Sequence, residues 1–315
     1  MRLIFMGTPD FAVPSLRILH EAGHEIAAVV TAPDRKRGRG QKVSFTPVKE
    51  FALEHGISVL QPESLKDGEF QEALAAFEAD CFVVVAFRIL PEEVFSLPPR
   101  GSFNLHASLL PKYRGAAPIN WALMNGDSES GVTTFFLKRK VDTGSVILQE
   151  RTDVPEDMTA GELHDRLSEL GAQAVRRTVE MIADGTAVTQ PQDDDLATPA
   201  PKIFRDTCAI PWEKTAREVH NHIRGLSPYP AAWTMFGDRQ LQILRSRVVD
   251  EKGEGDTPGT VVTADGILRV QCGSGSIAVL ELKPEGKKRM TVEEYLRGYR
   301  VETGSVMNRG GESAV

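Results

Sequence analysis

Along the first half of the chain, short runs that are apolar throughout alternate with stretches in which apolar residues recur every three or four positions. Residues 2–6 (RLIFM), 26–31 (IAAVVT), 57–60 (ISVL), 81–86 (CFVVVA) and 102–106 (SFNLH) are the strand-sized runs. Continuous apolarity, rather than alternation, means that both faces of such strands are covered, as in a parallel sheet between helices. Gly7-Thr8-Pro9 turns the first strand into a helix that starts near Pro14. The helix after Thr46 has a cap residue, Pro47 in its first turn, inward Val48, Phe51 and Ala52, and a stop at Gly56. Two further strands, 132–137 and 145–150, are joined through KRKVDTG. The next helix opens on Thr159 and Glu162, a pair in which each side chain satisfies the other's free backbone N–H. Leu163, Leu167 and Leu170 form its apolar stripe, and Gly185 ends it.

The pattern then breaks. Residues 186–204 hold three prolines and three consecutive aspartates, which reads as an extended linker. One helix follows, opened by Thr215 and Glu218 and ended at Gly225 before SPYP. Five short runs come next: 231–236, 240–249, 257–264, 266–273 and 276–284. Close spacing and glycine punctuation suggest a small barrel. Thr291 with Glu294 opens a last short helix, and the chain from about 304 reads as a loose tail. The expected fold is α/β: a Rossmann-like, mostly parallel sheet covered by helices (1–185), a linker (186–205) and a smaller OB-like β-barrel domain (206–315).

Composition agrees with two buried cores. Of 315 residues, 41% are hydrophobic and 26% charged, which excludes a disordered, collagen-like or coiled-coil chain. The longest apolar run, 81–87, falls far short of the ~20 residues that span a bilayer. The N-terminal residues lack the features of a signal peptide and read as a buried strand. Cys81, Cys208 and Cys272 form no CxxC pair, so neither a disulfide framework nor a structural zinc site follows, and no metal is expected. A cytoplasmic monomer with no membrane partner is the expectation.

Charge is unevenly spread. Residues 206–315 carry 15 basic and 15 acidic side chains, whereas 1–205 carry 22 against 29 and supply the whole net charge of −7. Such a chain is no general nucleic-acid coat; a polyanion must be met by local cations. One patch qualifies: Arg35, Lys36, Arg37, Arg39 and Lys42 place five positive charges within eight residues, with no acid among them.

The densest candidate chemistry lies at 103–122, FNLHASLLPKYRGAAPINWA, where a buried strand passes into a loop rich in proline and glycine. Ligands of open α/β sheets bind beyond the carboxyl ends of the strands. Asn104 and His106 are two apart and share one face of that strand. A later acid, Asp142 in VDTG, is available to join them. Other pairs are weaker. His220 and His222, two apart on a helix, point in different directions. His20 and His24 are separated by Gly23, which should end their helix. Gly7-Thr8-Pro9 lacks the glycine spacing of a nicotinamide site.

On FMGTPDFAVPSL, APDRKRGRGQK, NLHASLLPKYRGAAPINWA, VDTG, IRGLSPYPAAW and LKPEGKKRMTVEEYLRG, the chain resembles the methionyl-tRNA formyltransferases along nearly its whole length. The SLLPKYRG signature is specific for formyltetrahydrofolate-using enzymes, and the GRGQK loop with this second domain singles out the tRNA branch. The resemblance implies transfer of the formyl group of 10-formyltetrahydrofolate to the α-amino group of methionyl initiator tRNA. It casts Asn104 and His106 as stabilisers of the developing oxyanion, and Asp142 as the group that holds His106 and relays a proton. It implies folate contacts from Arg88, Ile89 and Leu90 and from Ser108, Leu109, Leu110 and Pro111. Here AFRILP departs from the commoner AYG pattern of the tRNA enzymes and resembles the glycinamide ribonucleotide transformylases. The patch Arg35, Lys36, Arg37, Arg39 and Lys42 becomes a tRNA-contacting loop, with Arg39 reaching furthest, and Lys287, Lys288 and Arg289 a smaller cationic set. The alternative is a formyltransferase acting on an amino-sugar nucleotide, which shares NLHxSLLPKYRG but has no use for five cations aimed at a phosphate backbone.

Overall fold

The computed structural model describes residues 1–37, 42–253, 257–263 and 266–309. In chain order the elements of the first half are Arg2–Gly7 (β1), Val13–Glu21 (α1), Glu25–Val30 (β2), Arg35–Arg37 (β3), Lys42–Ser44 (β4), Pro47–Glu54 (α2), Ser58–Leu60 (β5), Gly68–Ala76 (α3), Cys81–Val85 (β6), Glu92–Phe95 (α4) and Ser102–His106 (β7). Arg114–Gly115 (β8), Pro118–Met124 (α5), Glu129–Phe136 (β9), Val146–Asp153 (β10), Ala160–Ala183 (α6) and Pro199–Ala200 (β11) follow. The fold separates into two compact units. The first comprises Met1–Ala116, Glu129–Thr152 and His164–Ala200; the second comprises Ala117–Ser128, Asp153–Leu163 and Pro201–Val315. Where the sequence reading has contiguous blocks at 1–185, 186–205 and 206–315, the structural units are therefore discontinuous.

The first unit is built on a sheet in the order β10-β9-β7-β6-β1-β2-β5. From β7 to β5 all neighbours are parallel, and β9 joins β7 antiparallel. Every residue of β6 is buried, as its unbroken apolar run requires. One face carries Ile4, Met6, Ala28, Val30, Phe82 and Val84, packed with Phe70, Leu74, Leu90 and Val94. Thr46 caps α2 by accepting the Lys49 N–H at 3.1 Å, and Val48, Phe51 and Ala52 point inward. The Thr159–Glu162 box forms as expected, with the Thr159 N–H on Glu162 at 2.8 Å and the Glu162 N–H on Thr159 Oγ1 at 3.3 Å.

The expected linker is extended but bound. Val146 and Gln190 exchange both backbone hydrogen bonds, at 2.8 and 2.9 Å. β11 lies parallel to β8, and Arg114 N donates to Thr198 O at 2.9 Å. Residues 190–200 thus belong to the first unit, because their backbone groups find partners there instead of water.

The second unit continues with Ala216–Leu226 (α7), Ala232–Phe236 (β12), Arg239–Asp250 (β13), Val261–Thr263 (β14), Leu268–Gln271 (β15), Ser276–Pro284 (β16), Met290–Thr291 (β17), Val292–Gly298 (α8) and Met307–Asn308 (β18). Both helices open on the capping boxes read from the sequence, Thr215 with Glu218 and Thr291 with Glu294. The strands run β14-β15-β16-β13-β12-β18, each antiparallel to its neighbours, with β17 on β16. The loose tail from 304 needs correction. Gly304 N donates to Val261 O and Met307 N to Gly259 O, both at 2.8 Å, while β18 pairs with β12. Residues 304–308, which include β18, bring the sheet's two edges together into a nearly closed barrel, and Met307 is buried in its core with Val261, Leu268, Ile277 and Trp212. Positions 310–315 lie outside the described residues. Among the described residues no helix is long and apolar enough to cross a membrane.

Candidate active site

β1 continues to β2 on one side and has β6 on the other, so the strand order reverses beside β1 and opens a crevice beyond the carboxyl ends of β1 and β6. β7 is the next strand along. Asn104 faces Val84 across the parallel pair, and cross-strand partners share a face. Asn104 and His106 therefore point to the face on which Val84 packs with Leu90. Phe103 and Leu105, pointing the other way, are fully buried. The half-buried Asn104 amide makes no hydrogen bond to a described residue, so its two N–H donors are uncommitted.

His106 is 6% exposed, and its ring is held on one side. Nε2 lies 2.8 Å from the Tyr113 carbonyl oxygen. A carbonyl only accepts, so Nε2 carries the proton and Nδ1 is the nitrogen left for chemistry. Nδ1 lies 3.9 Å from Asp142 Oδ2. That carboxylate oxygen in turn accepts the Gly115 N–H at 3.0 Å. Two of the three expected groups, far apart in the chain, thus pair, the imidazole buried and the carboxylate partly so, and Asn104 stands two residues from His106 on the same strand face.

Asp142 occupies the left-handed region at φ 54°, which Asp tolerates better than most non-glycine residues. Gly144, two residues on, fits because a Cβ there would overlap the Phe136 carbonyl oxygen. Sequence reasoning missed the groups that hold this turn. The Gln192 side-chain amide donates to Asp142 O at 2.9 Å and to Gly144 O at 2.8 Å. Its Oε1 accepts from Arg114 Nε and Nη2 at 3.1 and 2.8 Å, and Arg114 also pairs with Asp194 at 2.7 Å. Hydrogen bonding to Arg114 and the charge of Lys140 hold the Asp194 carboxyl below its usual range. Arg114 stands in the KYRG signature; Gln192, in a polar stretch that reads as linker, carries no local signal.

The expected folate residues divide by environment. Arg88 is tied down: its guanidinium donates to Pro62 O at 2.8 Å and Glu63 O at 3.1 Å, and burial lowers its affinity for the proton. Ile89 is 73% exposed, whereas Leu90 is buried. Leu90 packs in the cluster that holds Val84, the cross-strand partner of Asn104, while Ile89 offers an exposed apolar side chain one residue before it. Ser108 is buried in the turn, its hydroxyl donating to Lys112 O at 2.6 Å. Leu110 and Pro111 lie in the same turn, where Leu110 N reaches Thr133 Oγ1 at 3.1 Å and Gln149 Nε2 holds Leu110 O at 2.7 Å. Leu109 is half-buried.

The basic stretch is a ribbon rather than the loop expected. Arg35 pairs with Ser44, Lys36 with Val43 and Arg37 with Lys42, antiparallel. Arg39 lies outside the described residues. At the ribbon's base Lys49 bonds Asp34 and Gln61, Gln61 returns a hydrogen bond to Asp34 at 2.9 Å, and the Lys49 contact holds the Asp34 carboxyl below its usual range. In the second unit Lys287 and Lys288 are exposed, while Arg289 is engaged by Glu281 at 2.7 Å.

The histidine pairs set aside on sequence grounds have structural roles. His220 is buried, with Nδ1 3.1 Å from Ser246 Oγ and Nε2 3.2 Å from Glu156 O. Burial, reinforced by the Arg224 charge, pushes it down to about 4. His20 lies edge-on to His55 and Phe51, and α1 ends before His24.

Comparison with known proteins now bears on this geometry. The family model described as Formyl transferase matches residues 1–179, and that described as Formyl transferase, C-terminal domain, matches 202–300. A methionyl-tRNA formyltransferase of Acetivibrio thermocellus is 45% identical over 312 residues, covering 98% of this chain and 100% of the relative. One of Moorella thermoacetica is 48% identical over 308 residues, covering 98% and 99%. Among solved structures, WlaRD, a sugar 3N-formyl transferase crystallised with dTDP and 5-N-formyl-THF, shares the fold at TM-score 0.69 with 20% identity, covering 91% of this chain and 99% of that one.

Proposed function

The chain belongs to the methionyl-tRNA formyltransferase family, and on that premise we propose that Asn104, His106 and Asp142 carry the formyl group of 10-formyltetrahydrofolate to the α-amino group of methionyl initiator tRNA. The observation that supports this reading is the His106–Asp142 pair on the strand face that carries the uncommitted Asn104 amide.

The chemistry asks for an unprotonated amine, a place for negative charge on the formyl oxygen, and a route for a proton. The new bond joins the amine nitrogen to the formyl carbon, and the bond from that carbon to the folate nitrogen breaks. Asn104 donates an N–H to the formyl oxygen as charge develops there, a contribution worth ~10²–10³ in rate. His106, anchored through Nε2 on Tyr113 O, presents Nδ1 as a second donor in its protonated form. Asp142 lies against Nδ1, balances its charge and takes the proton that the amine releases as the new bond forms. The leaving folate nitrogen takes up, as it departs, the proton that Asp142 received from the amine, which restores the carboxylate. Direct attack by the amine needs no covalent adduct on Ser108, whose hydroxyl is buried and donates to Lys112 O.

Folate binds along 88–90 and 108–111, with Ile89 against its apolar ring system. Lys287 and Lys288, together with Arg35, Lys36, Arg37, Arg39 and Lys42, meet tRNA phosphates, with Arg39 assigned to the acceptor-stem end by its place in the family's loop. The work on tRNA places the protein in the cytoplasm. An assay of labelled formyl transfer from 10-formyltetrahydrofolate tests the choice of acceptor. Methionyl initiator tRNA should be formylated, and a dTDP-amino sugar, the acceptor of the alternative reading, should not. Transfer to the sugar nucleotide at a comparable kcat/KM would overturn the tRNA assignment.

A further inference from the structure

We propose that Gln192 is a positioning residue for formyl transfer: it acts by holding the Asp142 turn in register with His106. The proposal rests on the site reading above. Three observations lead to it.

First, the amide is fully spent on the site. Both of its N–H donors go to Asp142 O and Gly144 O, and its oxygen accepts twice from Arg114. A primary amide has two such donors and two lone pairs, so this one has no capacity left for substrate.

Second, the atoms it holds belong to a turn whose backbone takes an uncommon conformation. Asp142 sits at φ 54°, a conformation that persists only where its surroundings over-determine it. The Gly115 N–H fixes the carboxylate from one side, and Gln192 fixes the carbonyls of Asp142 and Gly144 from the other.

Third, the same amide reaches the histidine's support. Tyr113, Arg114 and Gly115 are consecutive: the Tyr113 carbonyl holds His106, the Arg114 guanidinium holds Gln192, and the Gly115 N–H holds Asp142. Gln192 closes this into a ring, in which a shift of the Asp142 turn is resisted by the segment that fixes His106. The surrounding strap keeps Gln192 in place through the Val146–Gln190 bridge on one side, and through Thr198 Oγ1 on Tyr113 N at 2.9 Å on the other. Catalytic distances tolerate little error; a misplacement near 1 Å costs on the order of 10²-fold in rate.

The test is a double-mutant cycle on kcat, with KM for folate and tRNA measured alongside. Gln192→Ala should lower kcat about 10- to 100-fold with both KM values nearly unchanged. In an Asp142→Asn background the same substitution should change kcat less than about 3-fold, because the group it positions is already disabled. Gln192→Glu keeps the acceptor for Arg114 but sets a carboxylate against two carbonyls; it should behave like Gln192→Ala and serves in its place if that variant fails to fold. An equal drop in both backgrounds, a drop confined to KM, or unaltered kcat overturns the positioning role. If Asp142→Asn alone turns over at the wild-type rate, the site reading itself fails, and the two failures are thereby distinguished.

Discussion

At the scale of single residues, the site is set by hydrogen-bond bookkeeping around one imidazole. Because Tyr113 offers a carbonyl, His106 keeps its proton on Nε2 and turns Nδ1 toward Asp142. Asp142 reaches that nitrogen only from a left-handed turn, and the turn closes only because Gly144 has no side chain to meet Phe136 O. Gly144→Ala is therefore expected to lower stability by about 1–3 kcal/mol through the forced backbone shift, and to lower kcat because Asp142 moves with it. Urea denaturation and steady-state formylation check both; a variant with wild-type stability and turnover would show that the turn has room to spare. Asn104, His106 and Asp142 were legible as candidates because Asn104 and His106 sit two apart at the end of an apolar run, and VDTG stands out as an acid in a turn. Gln192 could not, since its role depends on a fold-back that places residue 192 beside residue 142, and no local pattern encodes a contact over that separation.

Among the elements, those specified by local sequence were legible and those specified by distant pairing were not. Capping boxes at Thr159, Thr215 and Thr291 formed where side-chain spacing required them. β6 and β7 lie where unbroken apolar runs place them. The segment 190–200 and the strand β18 read as linker and tail because both are short, polar and proline- or glycine-flanked; each becomes ordered through backbone pairing with residues far away in sequence. The ribbon β3–β4 is the element proposed to meet the tRNA backbone. Its two strands pair antiparallel, and Lys49, Asp34 and Gln61 bond to one another at its base. Replacing Arg35, Lys36 and Arg37 by alanine should raise the KM for tRNA, leave the KM for folate unchanged, and flatten the salt dependence by up to ~2–3 in the log–log slope. Measuring that slope for wild type and variant decides it: parallel lines would mean that the ribbon does not meet phosphate.

For the molecule as a whole, the two-part composition was evident in the charge break and the change of strand pattern, but the interleaving of the chain was not. Ala117–Ser128 and Asp153–Leu163 lie in the first half of the sequence yet belong to the second unit. There Asn120 Nδ2 bonds Gly225 O at 2.7 Å, and the buried Arg224 reaches Pro155 O and Met158 O at 3.3 Å. Nothing in either segment marks that allegiance, which arises from packing on α7. The same unit has a built-in acid sensitivity. His220 is buried in its neutral form and pushed down to about 4, and His222 likewise, so in the window from about 6.5 down to 4 the unfolded chain takes up protons that the folded unit refuses. Stability is therefore full above that window and falls as pH drops through it, by up to about 2 kcal/mol at pH 5 for His220. Trp121, Trp212 and Trp233 all lie in this unit, so fluorescence-detected urea unfolding at pH 7.5 and pH 5 reads it directly. A midpoint that does not move, or that moves equally in His220→Gln, would refute the assignment.

The decisive measurement is the single-turnover rate constant of formyl transfer to methionyl initiator tRNA, at saturating enzyme and folate donor, for Asn104→Ala and His106→Ala beside the wild type. Each variant should melt as a folded protein and transfer about 10²- to 10³-fold more slowly. Wild-type rate constants in both would contradict an oxyanion held by the amide and the imidazole of β7.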